Sequence, residues 1–368
     1  ADLMTESLKI CVVLAMAIVR VAPVQAEEPA RRPNILFIFA DDQSWKTIGC
    51  YNSGPDWVRT PHIDALASAG VRFEPSYLGA WCMPSRASLL TGRLQHAVRS
   101  MTMLGSYPGS KYDPEQCRFF PDQPWFLWLC YGSVHGPTTP QLDIRGQGVG
   151  RVLQALRDSG QLENTLVIYS ADQGFALGEH GLTQKVAPYD AAVSSPLIIS
   201  LPGRIGQNRV CRHPVNAPDL TNYLCQLAGV QLPWETHGRD IRPLLESPEA
   251  SDWNLPMIMT HTSRSYGDET AQIPTDDRLT SSSSVPWYVL LRDGSKKYVR
   301  YFVKGELEEL YDLAADPDKL VNLAVRPEHS AELARLRRLA IAELRRTDAQ
   351  FVDGLPATAA ELGAVSAP

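Results

Sequence analysis

The sequence predicts an α/β fold with a mainly parallel central sheet, followed by a small C-terminal antiparallel sheet and helix. Three observations carry this reading. The run Ile35-Leu36-Phe37-Ile38-Phe39-Ala40 is continuously apolar and rich in strand formers, as suits a strand buried on both faces. Similar apolar runs then alternate with segments of helical period as far as Gly229. Beyond a change of texture around residues 246–256, two strand-like runs are joined by Asp293-Gly294, the mark of a hairpin.

Taken in order, the first strand stops abruptly at Asp41-Asp42. Thr60, Pro61 and Gly70 bracket a helix, because threonine caps, proline suits a first turn and glycine ends the spiral. Pro84 opens a second helix directly after Cys82. Residues 125–130 read as a second buried strand and Leu166-Val167-Ile168-Tyr169 as a third. The helix between them lines up Val149, Val152, Leu153 and Leu156 on one face. Residues 196–200 supply a fourth strand, and Leu220, Tyr223, Leu224 and Leu227 with Gly229 mark another amphipathic helix. In such sheets the loops at strand C-termini carry the chemistry. Residues 267–286, rich in Ser, Thr, Asp and Gly, read as an exposed loop. Residues 287–292 and 297–303 then form the hairpin, and residues 327–346 a closing helix through Leu333, Leu336, Ala340 and Leu344. The expected organisation is a main domain over 32–250, a C-terminal subdomain over 251–346 and a mobile tail over 353–368.

A chain of 368 residues is too long for one small core and fits a large domain plus a smaller one. Its net charge of -6 argues against a nucleic-acid partner. Lys9, the apolar run from Ile10 to Val19 and the small-residue pattern Val24-Gln25-Ala26 predict a secretory signal peptide over residues 1–26, hence a periplasmic or extracellular protein. Arg20 cuts the apolar segment short of a spanning helix, so no stable membrane anchor is expected. Seven cysteines leave five once Cys11 of the signal and Cys82 are set aside. Their spacing matches neither a zinc site nor a disulfide scaffold; one or two disulfides and buried thiols are both compatible with it.

The most informative stretch is Cys82-Met83-Pro84-Ser85-Arg86-Ala87-Ser88-Leu89-Leu90-Thr91-Gly92-Arg93. It meets every fixed position of the pattern C-x-P-S-R-x-x-L-L-T-G-R and so resembles the signature of the sulfatase family. That resemblance implies an alkaline-phosphatase-like sandwich and a sulfuric ester hydrolase. It also implies that Cys82 is oxidised after synthesis to formylglycine by a formylglycine-generating or equivalent maturation enzyme. The substrate it implies is a sulfated small molecule or carbohydrate. Alone, Cys82 would read as a buried thiol beside a proline-initiated helix; a helix N-terminus, however, also suits a sulfate anion.

Asp41 and Asp42 alone would read as a solvated turn. In sulfatases such a pair binds a divalent cation, usually calcium, with further ligands after a later strand. The counterpart here is Asp172-Gln173-Gly174. The resemblance thus implies Ca2+ held by Asp41, Asp42, Asp172, Gln173 and the side chain at position 82, with Gln173 standing where asparagine or histidine is commoner. Oxygen donors suit a hard cation.

The implied mechanism has one hydroxyl of the aldehyde hydrate attack sulfur while Arg86 and the cation neutralise the sulfate oxygens. The second hydroxyl then expels sulfate from the sulfated enzyme. His135, in Gly132-Ser133-Val134-His135-Gly136-Pro137, matches the family histidine that contacts sulfate and protonates the leaving group. Lys185 lines up with a sulfate-binding lysine, and Glu179 and His180 read as scaffolding of its loop. The likeness runs in pieces over about residues 32–345, nearest to bacterial arylsulfatase-like enzymes.

One family element is missing. Sulfatases carry G-K-W-H-x-G between the signature and the histidine strand, and its lysine and histidine grip the formylglycine. Residues 94–124 contain no such element and are broken by Pro108, Pro114, Pro121 and Pro124, so the domain is internally shortened by a helix and a strand. His96 reads as a surface histidine rather than a substitute. Three functions therefore stand side by side: a sulfuric ester hydrolase, a phosphate or phosphonate monoester hydrolase of the same superfamily, and a catalytically impaired protein that binds sulfated ligands.

Overall fold

The computed structural model describes residues 32–74, 76–98, 123–131, 144–249, 253–280 and 284–363. One compact unit spans Arg32–Pro368; Ala1–Arg31, with the expected signal peptide, lies outside the described residues. The strands are β1 (Asn34–Ala40), β2 (Val71–Phe73), β3 (Ser76–Tyr77), β4 (Phe126–Tyr131), β5 (Thr165–Ala171), β6 (Leu197–Ser200), β7 (Arg209–Cys211), β8 (Val215–Asn216), β9 (Met257–His261), β10 (Tyr288–Asp293), β11 (Lys296–Tyr301) and β12 (Glu309–Asp312). The helices are α1 (Pro61–Ser68), α2 (Cys82–Thr91), α3 (Ile144–Asp158), α4 (Asp190–Val193), α5 (Ala217–Ala228), α6 (Arg242–Glu246) and α7 (Ser330–Arg346).

The main sheet has the order β4-β1-β5-β6-β2-β7. Pairing is parallel across β4-β1-β5 and between β2 and β7, while β6 runs antiparallel to both its neighbours. β1 is buried along its whole length because it has a strand on each side and helices on both faces. Phe37 and Phe39 face one core with Leu89 of α2 and Leu220 of α5; Leu36 and Ile38 face another with Ile63 of α1 and Leu153 of α3. Ala40 pairs with both Tyr131 and Ala171, so the three parallel strands end level. That alignment sets Asp41-Asp42 beside Asp172-Gln173.

Three local expectations are corrected. β4 is an edge strand rather than a buried one: Phe126 is 56% exposed and Leu127 47%, because β4 pairs only with β1 among the described residues. α2 begins at Cys82, not Pro84; Trp81 is its cap, and the Ser85 N-H donates to the Trp81 carbonyl at 3.1 Å. Proline fits this first turn because the N-H groups there have no partner within the helix. The tail is not free along its length. The Gly305 N-H donates to the Ala357 carbonyl at 2.8 Å, the Ala359 N-H to Glu306 at 3.0 Å and Arg300 Nη2 to Pro356 at 2.8 Å. Only residues 364–368 fall outside the described part of the tail.

The second sheet, β12-β11-β10-β9, is antiparallel throughout, and Gly294 at φ +54° makes the turn between β10 and β11. α7 packs Leu333, Leu336 and Ala340 on Leu291, Tyr298 and Leu310. Cys50, Cys82, Cys130, Cys211 and Cys225 are all free thiols.

Candidate active site

The candidate site lies where β1, β5 and α2 meet. Asp41 and Asp42 continue β1: the Asp41 N-H donates to the Tyr131 carbonyl at 3.2 Å. Asp42 then turns at φ +54°, a left-handed conformation that aspartate tolerates better than most residues. Its N-H donates to Asp172 Oδ1 at 2.9 Å, joining the two strand ends. Cys82, first residue of α2, places its sulfur 3.3 Å from Asp41 Oδ1 and 3.8 Å from Asp42 Oδ1. Lys185 Nζ lies 3.0 Å from that sulfur and 2.5 Å from Asp42 Oδ1. One turn along α2, Arg86 Nη2 pairs with Asp41 Oδ2 at 3.1 Å and stands 3.5 Å from Asp172 Oδ2. Gln173 Nε2 donates to Asp42 Oδ1 and approaches the sulfur at 3.9 Å.

Three carboxylates thus face two cations. Burial, with Asp41 beside it, pushes Asp172 up to about 7. Burial and then Asp172 push the Cys82 thiol up to about 12, so in the cation-free cluster an unmodified cysteine holds its proton at neutral pH. For Lys185, burial acts to lower the pKa, but its bonds to Asp42 and Cys82 outweigh this and raise it.

The donor set fits a hard cation. Asp41, Asp42 and Cys82 each bring one donor atom within 4.8 Å of the others. Among the described residues, Asp172 Oδ2 and Gln173 Oε1 are buried without a hydrogen bond, which costs free energy unless another group binds them. With oxygen donors at all four other positions, calcium suits this cluster better than zinc.

The family model described as Sulfatase matches residues 33–117 and 146–230. The chain belongs to the sulfatase family. It is 27% identical over 212 residues to the N-acetylglucosamine-6-O-sulfatase of Bacteroides thetaiotaomicron, covering 57% of this chain and 35% of that relative. The sulfatase chain therefore spans well under half the length of this curated relative. Among solved structures it is similar to a protein in complex with its substrate D-glucosamine-2-N,6-O-disulfate, with a TM-score of 0.68, 17% identity and coverage of 86% of this chain and 98% of that chain. It is likewise similar to the phosphonate monoester hydrolase of Agrobacterium radiobacter, with a TM-score of 0.66, 19% identity and coverage of 86% and 96%. At these identities the likeness establishes the fold, the alkaline-phosphatase-like sandwich.

Of the expected sulfatase residues, Asp41, Asp42, Cys82, Arg86, Asp172, Gln173 and Lys185 come together; His135 lies outside the described residues. His96 is no surface histidine. It is buried, with Nδ1 2.9 Å from Thr260 Oγ1 and Nε2 2.7 Å from the Thr347 carbonyl, so both ring nitrogens are engaged in joining β9 to the end of α7. Glu179 pairs with Lys46 at 2.7 Å and His180 stacks on Tyr189 at 4.2 Å, so both act as loop scaffolding. Cys130 at the end of β4 escaped sequence reasoning: its sulfur accepts from Arg86 Nη1 at 3.4 Å, and no local motif announces that contact. No helix among the described residues is long and apolar enough to cross a membrane.

Proposed function

We propose that this chain hydrolyses sulfate monoesters, with residue 82 in its formylglycine form, Ca2+ as cofactor and a sulfated small molecule or carbohydrate as substrate. The observation that carries the reading is the convergence of Cys82, Lys185 and Arg86 on three carboxylates at one strand-end cluster. In this site the cysteine sulfur stands in for the aldehyde hydrate, which supplies a hydroxyl nucleophile. Asp41, Asp42, Asp172 and Gln173 would hold the cation, which supplies charge neutralisation for the sulfate. Without it the three carboxylates outnumber Arg86 and Lys185 and would repel an anion.

Lys185 sits against both the nucleophile position and Asp42, where it can hold a sulfate oxygen as charge develops. Arg86, fixed by Asp41 and stacked over Phe39 at 5.1 Å, presents its charge on the opposite side of Asp41. His135 is assigned the proton for the leaving alcohol. Residues 1–26 are taken as a removable signal, and the place of work as the periplasm or the cell exterior.

The test is sulfate release from an aryl sulfate with calcium, using protein whose residue 82 is verified as formylglycine by peptide mass. Phosphate and phosphonate monoesters run in parallel. Turnover highest on the sulfate ester is expected. A strong preference for the phosphorus esters would transfer the assignment to them, and sulfated-ligand binding without turnover would leave only the binding role.

A further inference from the structure

We propose that Tyr288, far along the chain on the second sheet, is a positioning residue that holds Lys185 on the nucleophile by pinning the strained backbone of Val186. The inference rests on the sulfatase reading above and extends it to a residue that contacts no reacting atom. Val186 has φ +86°. A β-branched residue is a genuine outlier in that region, and such strain persists only where surrounding structure enforces it. The enforcing contact is at hand: the Tyr288 hydroxyl donates to the Val186 carbonyl at 2.6 Å, and both residues are buried.

The strained residue follows Lys185 directly. On the other side of Lys185 the loop is closed by the Ala176 N-H donating to the Gln184 carbonyl at 3.0 Å and the Gly178 N-H to Leu182 at 2.8 Å. Lys185 is thereby fixed between a hydrogen-bonded neck and a pinned, left-handed residue, and its amine reaches Cys82 and Asp42 from there. If Val186 relaxed to negative φ, the direction of the Lys185 side chain would change with it. Tyr288 itself is rigid: its ring lies 5.3 Å from His261 and 6.1 Å from Tyr301, and its strand pairs on both edges.

The experiment uses the full chain with formylglycine at residue 82, and compares Tyr288→Phe, Lys185→Ala, Val186→Gly and their pairwise combinations. Tyr288→Phe removes only the hydroxyl and is expected to lower kcat about tenfold or more, as small misplacements of a reacting group do. In the Lys185→Ala background the same change should cost almost nothing, because the hydroxyl acts through Lys185. In the Val186→Gly background it should cost clearly less than in the parent, since glycine adopts positive φ without strain. Equal losses of kcat in all three backgrounds would overturn the proposal, because a merely structural role is indifferent to them.

A second readout needs no turnover. Trace acetylation of lysine amines, read by peptide mass with Lys296 as internal reference, should label Lys185 several-fold faster in Tyr288→Phe than in the parent. Protection should return in Tyr288→Phe/Val186→Gly. Unchanged Lys185 labelling overturns the positioning role even if the protein is a sulfatase. The expected labelling in a protein that turns over no sulfate ester sustains the positioning role and removes the sulfatase reading instead.

Discussion

Asp172 is fully buried, and its two oxygens have different surroundings: Oδ1 accepts from the N-H groups of Asp42 and Gln173, while Oδ2 has no hydrogen bond among the described residues and stands 3.5 Å from the Arg86 guanidinium. Without a cation, this charge sits beside Asp41 at a cost. Asp172→Asn is therefore expected to raise the Tm in EDTA, where it removes repulsion, and to abolish the rise in Tm that calcium gives the parent. Equal calcium stabilisation of both proteins would remove Asp172 from the ligand set. Buried histidines set a second expectation. Burial lowers His96 to about 4, and His237 and His261 to about 3. Between those values and about 6.5 the unfolded chain binds protons that the folded chain does not, so stability is fully present above about pH 6.5 and falls as the pH drops. Asp219, raised to about 6, and Asp172, raised to about 7, both chiefly by burial, oppose this as two carboxyls against three imidazoles. His261 has no hydrogen bond at either nitrogen among the described residues. His261→Phe should thus raise the Tm at neutral pH and flatten its decline between about pH 6.5 and 4.5, as melts across that range would show. A lower Tm at neutral pH would mean that the imidazole has a partner in solution.

α5 shows how an element is tied to its surroundings by a few atoms. Asn216 accepts from the Asp219 N-H at 3.2 Å and Asp219 from the Asn216 N-H at 2.9 Å, a complete capping box. The same Asn216 donates to the Ile258 carbonyl at 3.1 Å and Asp219 accepts from the Arg239 N-H at 2.7 Å, so the cap also holds β9 and the loop before α6. Asn216→Ala should cost about 1–2 kcal/mol by urea unfolding; a loss below a few tenths would mean water replaces the cap. Elements of this kind were legible in the sequence where burial is complete: β1, β5 and α5 each carry an unbroken apolar run or face. The two- and three-residue strands β2, β3, β7 and β8 are too short to show a period. The exposure of β4 and the reversed direction of β6 were hidden because neighbours, not the strand's own residues, decide them. At the site, the signature and the strand-end acids exposed Asp41, Asp42, Cys82, Arg86, Asp172, Gln173 and Lys185. Tyr288 and Cys130 were not legible, since they meet Val186 and Arg86 only through the tertiary fold.

For the whole molecule, the question is what joins the second sheet to the part that bears the site. Asp190, first residue of α4, accepts from Lys297 of β11 at 2.6 Å, from Lys319 beyond β12 at 3.1 Å and from the Tyr77 hydroxyl of β3 at 2.9 Å. Arg292 of β10 donates to the same Tyr77 hydroxyl. One carboxylate therefore serves a group of three cations. Burial acts to raise Asp190, but Lys297 and Lys319 override it and hold the carboxyl well below the usual range. Lys297, fully buried and sharing that single anion, is lowered to about 8, chiefly by burial. The asymmetry gives an asymmetric expectation. Asp190→Asn removes the one carboxylate that pairs with Lys297 among the described residues and leaves Lys297 buried without that counter-charge, which should cost about 3–5 kcal/mol. Lys297→Met removes one of several cations, puts a side chain of similar length in its place and leaves Asp190 paired with Lys319, so it should cost distinctly less. Guanidinium unfolding at neutral pH compares the two. Equal losses would mean that Lys297 is the sole effective partner of Asp190 and that Lys319 and Arg292 contribute nothing to the joint between the sheets.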